Sequence, residues 1–217
     1  MIAIPTPVAE VYEALKIEVT WLHGRWIVYR QLFGESDRRI DMLNECASAF
    51  FYIIQDVLID EVQVTLSKLT DPAAKGKHTN LSLKQLQLQL ETHGAKSLAS
   101  QMRPILDELY VKCEPFRIWR NKQLAHLDLT TSMKLSPNSL PGISRQMIED
   151  ALSLLRTYMN KIEGHYNDSE MGYEHFTMLS DGDALLAVIR NGLRYEELLQ
   201  QRVIPSDDWL RATWKDA

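Results

Sequence analysis

An arginine, an amide and a histidine stand together in the run Arg120-Asn121-Lys122-Gln123-Leu124-Ala125-His126. A guanidinium stays charged at any physiological pH and can grip a phosphate through two parallel N–H bonds. An imidazole gains and loses its proton near neutrality. One group that holds a phosphodiester and another that moves a proton form a minimal kit for cleaving RNA without a metal. Arg117 just before the pair and Lys122 between its members could bind the backbone of the same strand, while Asn121 could orient phosphate or imidazole.

These side chains need a helix to carry them, and the apolar periodicity supplies helices along nearly the whole chain. Val11, Leu15, Val19, Leu22, Trp26 and Tyr29 step by three and four, predicting a first helix over 8–33 that Gly34 ends. A second, over about 37–69, carries the long stripe Leu43, Ala47, Phe50, Ile54, Val57, Val62, Leu66 and Leu69. Its breadth predicts the central and most buried helix, kinked or reaching past the core because of its length. Thr70-Asp71-Pro72 breaks the pattern. Ser82 reads as the N-cap of a helix over 83–93, with Gly94 at its end. Another helix starts at Lys96, and Pro115 starts the stretch over 115–127 that bears the Arg/His run. A loop over 129–144 precedes a helix over 144–166, and a last helix is expected over 183–201. No strand signal stands out. The expected fold is all-α: a bundle of five to six helices over 1–166, with a C-terminal helix and tail over 167–217 packed on the same domain.

Within the motif helix, Leu109, Cys113, Phe116, Arg120, Leu124 and Leu127 form the inward stripe. A buried guanidinium costs several kcal/mol unless it meets an acid, a phosphate or a wet cleft. His126 lies about 120° further round an ideal helix, so one motif does not aim both side chains at one point. It would also sit in the last helical turn, where the negative helix end favours the imidazolium. Asp56 and Asp60, one turn apart in the second helix, are candidates to anchor Arg120. The alternative for them is a polar stripe. For the motif itself it is an arginine satisfied by a core carboxylate and a histidine capping its own helix.

Composition narrows the class. The chain has 217 residues, 45% of them apolar, and a formal charge of −5. That supports a real core and argues against a protein that coats nucleic acid indiscriminately. Cys46 and Cys113 fall in apolar helical surroundings and read as buried free thiols. No spacing of Cys, His or acidic residues makes a metal cluster, so neither metal nor cofactor is expected. The start shows no secretory pattern and no long uninterrupted apolar run marks a membrane span, which predicts a cytoplasmic protein with no membrane partner.

The Arg-Asn-x(4)-His run resembles the R-x(4–6)-H signature of the HEPN superfamily of all-helical ribonucleases and nucleotide-binding proteins. Phe50-Phe51, Gln55-Asp56, Asp60, Leu69-Thr70-Asp71-Pro72 and Asn80-Leu81-Ser82-Leu83 look like its abortive-infection AbiU branch, a resemblance spanning about 26–166. It implies a toxin or phage-defence endoribonuclease that acts as a homodimer, with two motifs meeting in one composite cleft. In that chemistry Arg120 and His126 are catalytic, Asn121 assists, and Lys122 and Arg117 bind RNA. An antitoxin or other defence-system partner is implied too. The alternative is a non-catalytic HEPN module that binds RNA, nucleotide or a protein. One departure stands out: Asp128 holds the place where family toxins controlled by nucleotide attachment carry a tyrosine.

Overall fold

A computed structural model describes residues 3–125, 128–133 and 140–205 of the chain. Its order is α1 (Thr6–Phe33), α2 (Asp37–Leu69), a hairpin of β1 (Ala74–Lys75) and β2 (His78–Thr79), α3 (Leu83–Thr92), α4 (Lys96–Lys112), α5 (Glu114–Trp119), a π-helical turn (Arg120–Leu124), α6 (Leu129–Ser132), α7 (Arg145–Asn167), a 3-10 turn (Tyr173–His175) and α8 (Gly182–Gln200). The protein is all-α, as expected. It has more helices than the five or six expected, because the motif segment breaks into short pieces and a loop folds into α6.

Two compact units emerge, one from 1–26 with 57–177 and one from 27–56 with 178–217. In the first unit the buried faces follow the helical period: Val8, Tyr12, Leu15, Val19 and Leu22 on α1, and Ile148, Leu152, Leu155, Met159 and Ile162 on α7. Each such side chain contributes about 1.5–3 kcal/mol by leaving water. Leu98, Met102, Leu106 and Leu109 of α4 join that core, as do Leu83, Leu86 and Leu90 of α3. One buried carboxylate pins α1 to α7. Glu163 accepts a short hydrogen bond from Tyr12 and further bonds from Lys16 at 3.3 Å and from Asn167 and Ser169 at 3.1 Å. Those donors hold its carboxyl below the usual range against the opposing effect of burial.

Ser82 caps α3, its Oγ accepting from the Gln85 N–H at 3.3 Å. Gly94, at φ +94°, ends α3 in the left-handed region that suits glycine. Pro104 sits inside α4. In the second unit, the Gln31 side chain donates to Asp181 at 2.7 Å and accepts from the Gly182 N–H at 3.0 Å. A Cβ on Gly182 would lie 3.0 Å from that side chain, so any larger residue there would push Gln31 aside by a few tenths of an ångström.

Two expectations fail. The helix α2 is not the most buried one. Val62, Leu66 and Leu69 are buried, but Phe50, Tyr52, Ile53 and Val57 are more than half exposed. It bends at Ala47, where φ is −161° and ψ 70°. A broad apolar stripe shows only that much apolar surface exists, not that this chain covers it. Among the described residues α2 is also the one helix long and apolar enough to cross a membrane by length and composition, with little of that stretch buried. Cys46, expected to be buried, is exposed on it, whereas Cys113 is buried as expected.

Candidate active site

The motif begins where α5 ends. Pro115 stands in the first turn, where its missing N–H costs nothing. Phe116 is fully buried and Trp119 donates its indole N–H to the Pro141 carbonyl at 2.7 Å. From Arg120 the backbone widens to a π turn, with the Ala125 N–H bonding back to the Arg120 carbonyl at 2.8 Å. The Asp128 N–H reaches the Lys122 carbonyl at 3.0 Å. The expected helix over 115–127 is therefore α-helical only to Trp119 and π-helical over Arg120–Leu124. Wide turns of this kind are rare and gather at functional sites. His126 and Leu127 lie outside the described residues.

Arg120 is held by three bonds. Its Nη1 donates to both oxygens of Asp71, at 3.0 and 2.8 Å, and its Nε donates to Asn121 Oδ1 at 3.3 Å. The pair is sheltered, with side-chain exposures of 19% for Arg120 and 25% for Asp71. Among the described residues Nη2 donates to nothing. The carboxylate that Arg120 meets is Asp71, from the end of α2 and not from the Asp56/Asp60 pair proposed as its anchor. Asp56 is exposed and falls in the other compact unit, and Asp60 is half-buried. In the sequence Asp71 is legible only as a helix terminator, because an ion pair spanning 49 residues depends on the fold.

Arg117 is committed differently. Its Nη1 donates to Thr70 Oγ1 at 3.1 Å and its Nη2 to the Tyr110 carbonyl at 2.7 Å. Its guanidinium lies 3.8 Å from the centre of the Tyr110 ring. Adjacent residues Thr70 and Asp71 thus receive the two arginines, which fixes the end of α2 against the motif. Asn121 and Lys122 are exposed. Cys113 is buried beside Thr70 and Arg117, and burial pushes its thiol up to about 12, so it is no nucleophile. Asp128 caps α6, accepting from Thr131 N at 2.9 Å and from the Thr131 and Thr130 hydroxyls at 2.7 Å. Those donors hold its carboxyl down at about 2. Among the described residues no group of three or more His, Cys, Asp or Glu side chains could hold a metal ion.

Searches of curated proteins and of solved structures return no match to this chain. The family model of AbiU2, of the HEPN class, does match, over residues 6–185. That span covers most of the chain and includes the motif, Asp71 and the helices that hold them. The chain is an abortive-infection HEPN protein of the AbiU2 family.

Proposed function

We propose that this chain is a metal-independent endoribonuclease of a toxin or phage-defence system. The observation that carries the reading is the Arg120 guanidinium: on a π turn, oriented by Asp71 and Asn121, with its Nη2 bonded to no described residue and available to a phosphate. In the reaction the ribose 2′-hydroxyl attacks the adjacent phosphorus. The 2′-O–P bond forms and the P–O5′ bond breaks. One fragment keeps a 2′,3′-cyclic phosphate and the other a 5′-hydroxyl. His126 is the general base or acid that moves the proton, and Arg120 stabilises the added negative charge. Asn121 keeps the guanidinium in place, while Lys122 and Arg117 add positive charge for the strand. The catalytic unit is a homodimer in which two motifs share one basic cleft, acting in the cytoplasm under the control of an antitoxin or other defence partner. Asp128 in the tyrosine position, fixed as a helix cap, argues against control by tyrosine modification.

A second reading has its own observation. Asp71 already satisfies part of Arg120, as it would in a non-catalytic HEPN module that binds RNA, nucleotide or a protein. Purified protein incubated with total RNA in excess chelator separates the two. The ribonuclease yields discrete fragments with 2′,3′-cyclic phosphate ends. Activity that vanishes in chelator and returns with Mg²⁺ overturns the metal-independent mechanism, and intact RNA under all conditions favours the binding module.

A further inference from the structure

Five cations on or beside the motif and the segments that follow Asp71 make no close ion pair among the described residues, although the Lys122 charge acts on Asp128. Lys75 and Lys77 are exposed on the β1–β2 hairpin, a segment whose residue types show no strand signal. The hairpin pairs Ala74 with Thr79 and Lys75 with His78, and turns at Gly76, φ +64°. Its base is closed by Asn80, whose side chain donates to the Pro72 carbonyl and whose N–H donates to the Ala73 carbonyl, both at 2.8 Å. Asp71, immediately before that base, is the residue bound to Arg120. The hairpin is therefore tied to the arginine and is no free loop. Lys84 of α3 places its ammonium 3.8 Å from the centre of the Tyr110 ring, the same ring that Arg117 lies against at 3.8 Å. Lys122 completes the group from the π turn.

The Lys84 and Arg117 charges are within about 8 Å of each other, since both touch one ring. At an effective dielectric of about 20 they repel by roughly 2 kcal/mol. Exposed cation–π contacts give back only about 0.5–1 kcal/mol each. Among the described residues Arg117 bonds only neutral oxygens, and neither cation has an ion pair to offset the remainder. An anion beside the ring would. In-line attack by a 2′-hydroxyl needs a nucleotide that has left A-form stacking, so the strand reaching Arg120 is single-stranded.

Resting on the ribonuclease reading, we propose that the Lys75–His78 hairpin and the Lys84–Tyr110–Arg117 stack form the track that holds the phosphates of single-stranded RNA next to the scissile bond. The test measures binding apart from cleavage. Fluorescein-labelled oligouridylate is titrated against the His126→Ala protein by anisotropy, at salt from 50 to 500 mM. The same is done with Lys75→Gln/Lys84→Gln added. Removing one cation that neutralises a phosphate lowers the salt slope by about 0.7 for a single strand. Removing two lowers it by about 1.4 and weakens binding about 25-fold at 0.1 M salt. A control pair, Lys96→Gln/Lys161→Gln, removes equal charge. Lys96 lies about 21 Å along α4 from Tyr110, beside the cavity that Leu98 lines with His165 and Tyr166. This control pair should stay within about twofold. Unchanged affinity and slope in the track variant, or an equal loss in the control, overturns the track even if the wild type cleaves RNA. Loss confined to the track variant upholds it even if the wild type cleaves nothing, in which case the ribonuclease reading alone fails.

Discussion

The Arg120–Asp71 pair makes a quantitative prediction. Two unit charges about 4 Å apart attract by roughly 4 kcal/mol at an effective dielectric of about 20. Fully exposed pairs net only about 0.2–1 kcal/mol, because water and side-chain entropy compete. Exposures of 19% and 25%, with both carboxylate oxygens engaged, place this pair between those limits. The coupling should be about 1–2 kcal/mol. Asp71→Ala should cost about 2 kcal/mol, since it leaves a sheltered guanidinium without its acid, and lower the Tm by about 4–8 °C for a chain of this length. Arg120→Ala should cost no more, and the double variant should cost clearly less than the two singles added. Urea or thermal unfolding of all four proteins measures this directly. Costs that add within about 0.5 kcal/mol would refute the reasoning, because uncoupled sites behave that way. Asp71→Asn adds a functional readout. It keeps the size and one acceptor but lets the guanidinium turn. RNA cleavage should fall at least about tenfold in kcat with little change in KM, as expected when a catalytic group is misplaced.

Stability should also depend on pH through His23. This histidine is buried, bonded through Nδ1 to the Val19 carbonyl at 2.8 Å and facing Arg156 and Tyr173. Burial, reinforced by the Arg156 charge, lowers its pKa to about 4. The unfolded state therefore binds a proton near pH 6.5 that the folded state refuses until about pH 4. Stability is full above pH 6.5 and falls by up to about 3 kcal/mol as the pH drops towards 4. Urea unfolding at pH 7 and pH 5 should show that loss, and His23→Gln should flatten it; equal slopes in both proteins would exclude His23 as the cause. Sedimentation at micromolar concentration should give a dimer, because a single motif offers one arginine and one histidine. A monomer that cleaves RNA at full rate would contradict the composite cleft.

Most of the helices are legible in the residue types, because their buried faces repeat with helical spacing. Ser82 and Pro115 also do what their chemistry requires: one accepts from Gln85, and the other opens α5. What stays hidden depends on distance along the chain or on backbone detail. Asp71 reads as a helix stop, and only the fold brings it to Arg120. The π turn leaves no mark in residue types. The exposed face of α2 has the same composition as a buried one. Lys84 and Tyr110 read as ordinary surface residues, and only the fold gathers two cations on one ring.

Cleavage of RNA by the Arg/His motif is open to one direct measurement. It is tested by the cleavage rate of a labelled single-stranded RNA in excess chelator, for the wild type and for His126→Ala, with unfolding curves confirming that both are folded. A general acid or base contributes about 10²–10⁴-fold. The wild type should therefore release fragments ending in 2′,3′-cyclic phosphate, and His126→Ala should be at least about 100-fold slower at unchanged stability. Equal rates in the two proteins would mean that His126 moves no proton in the reaction.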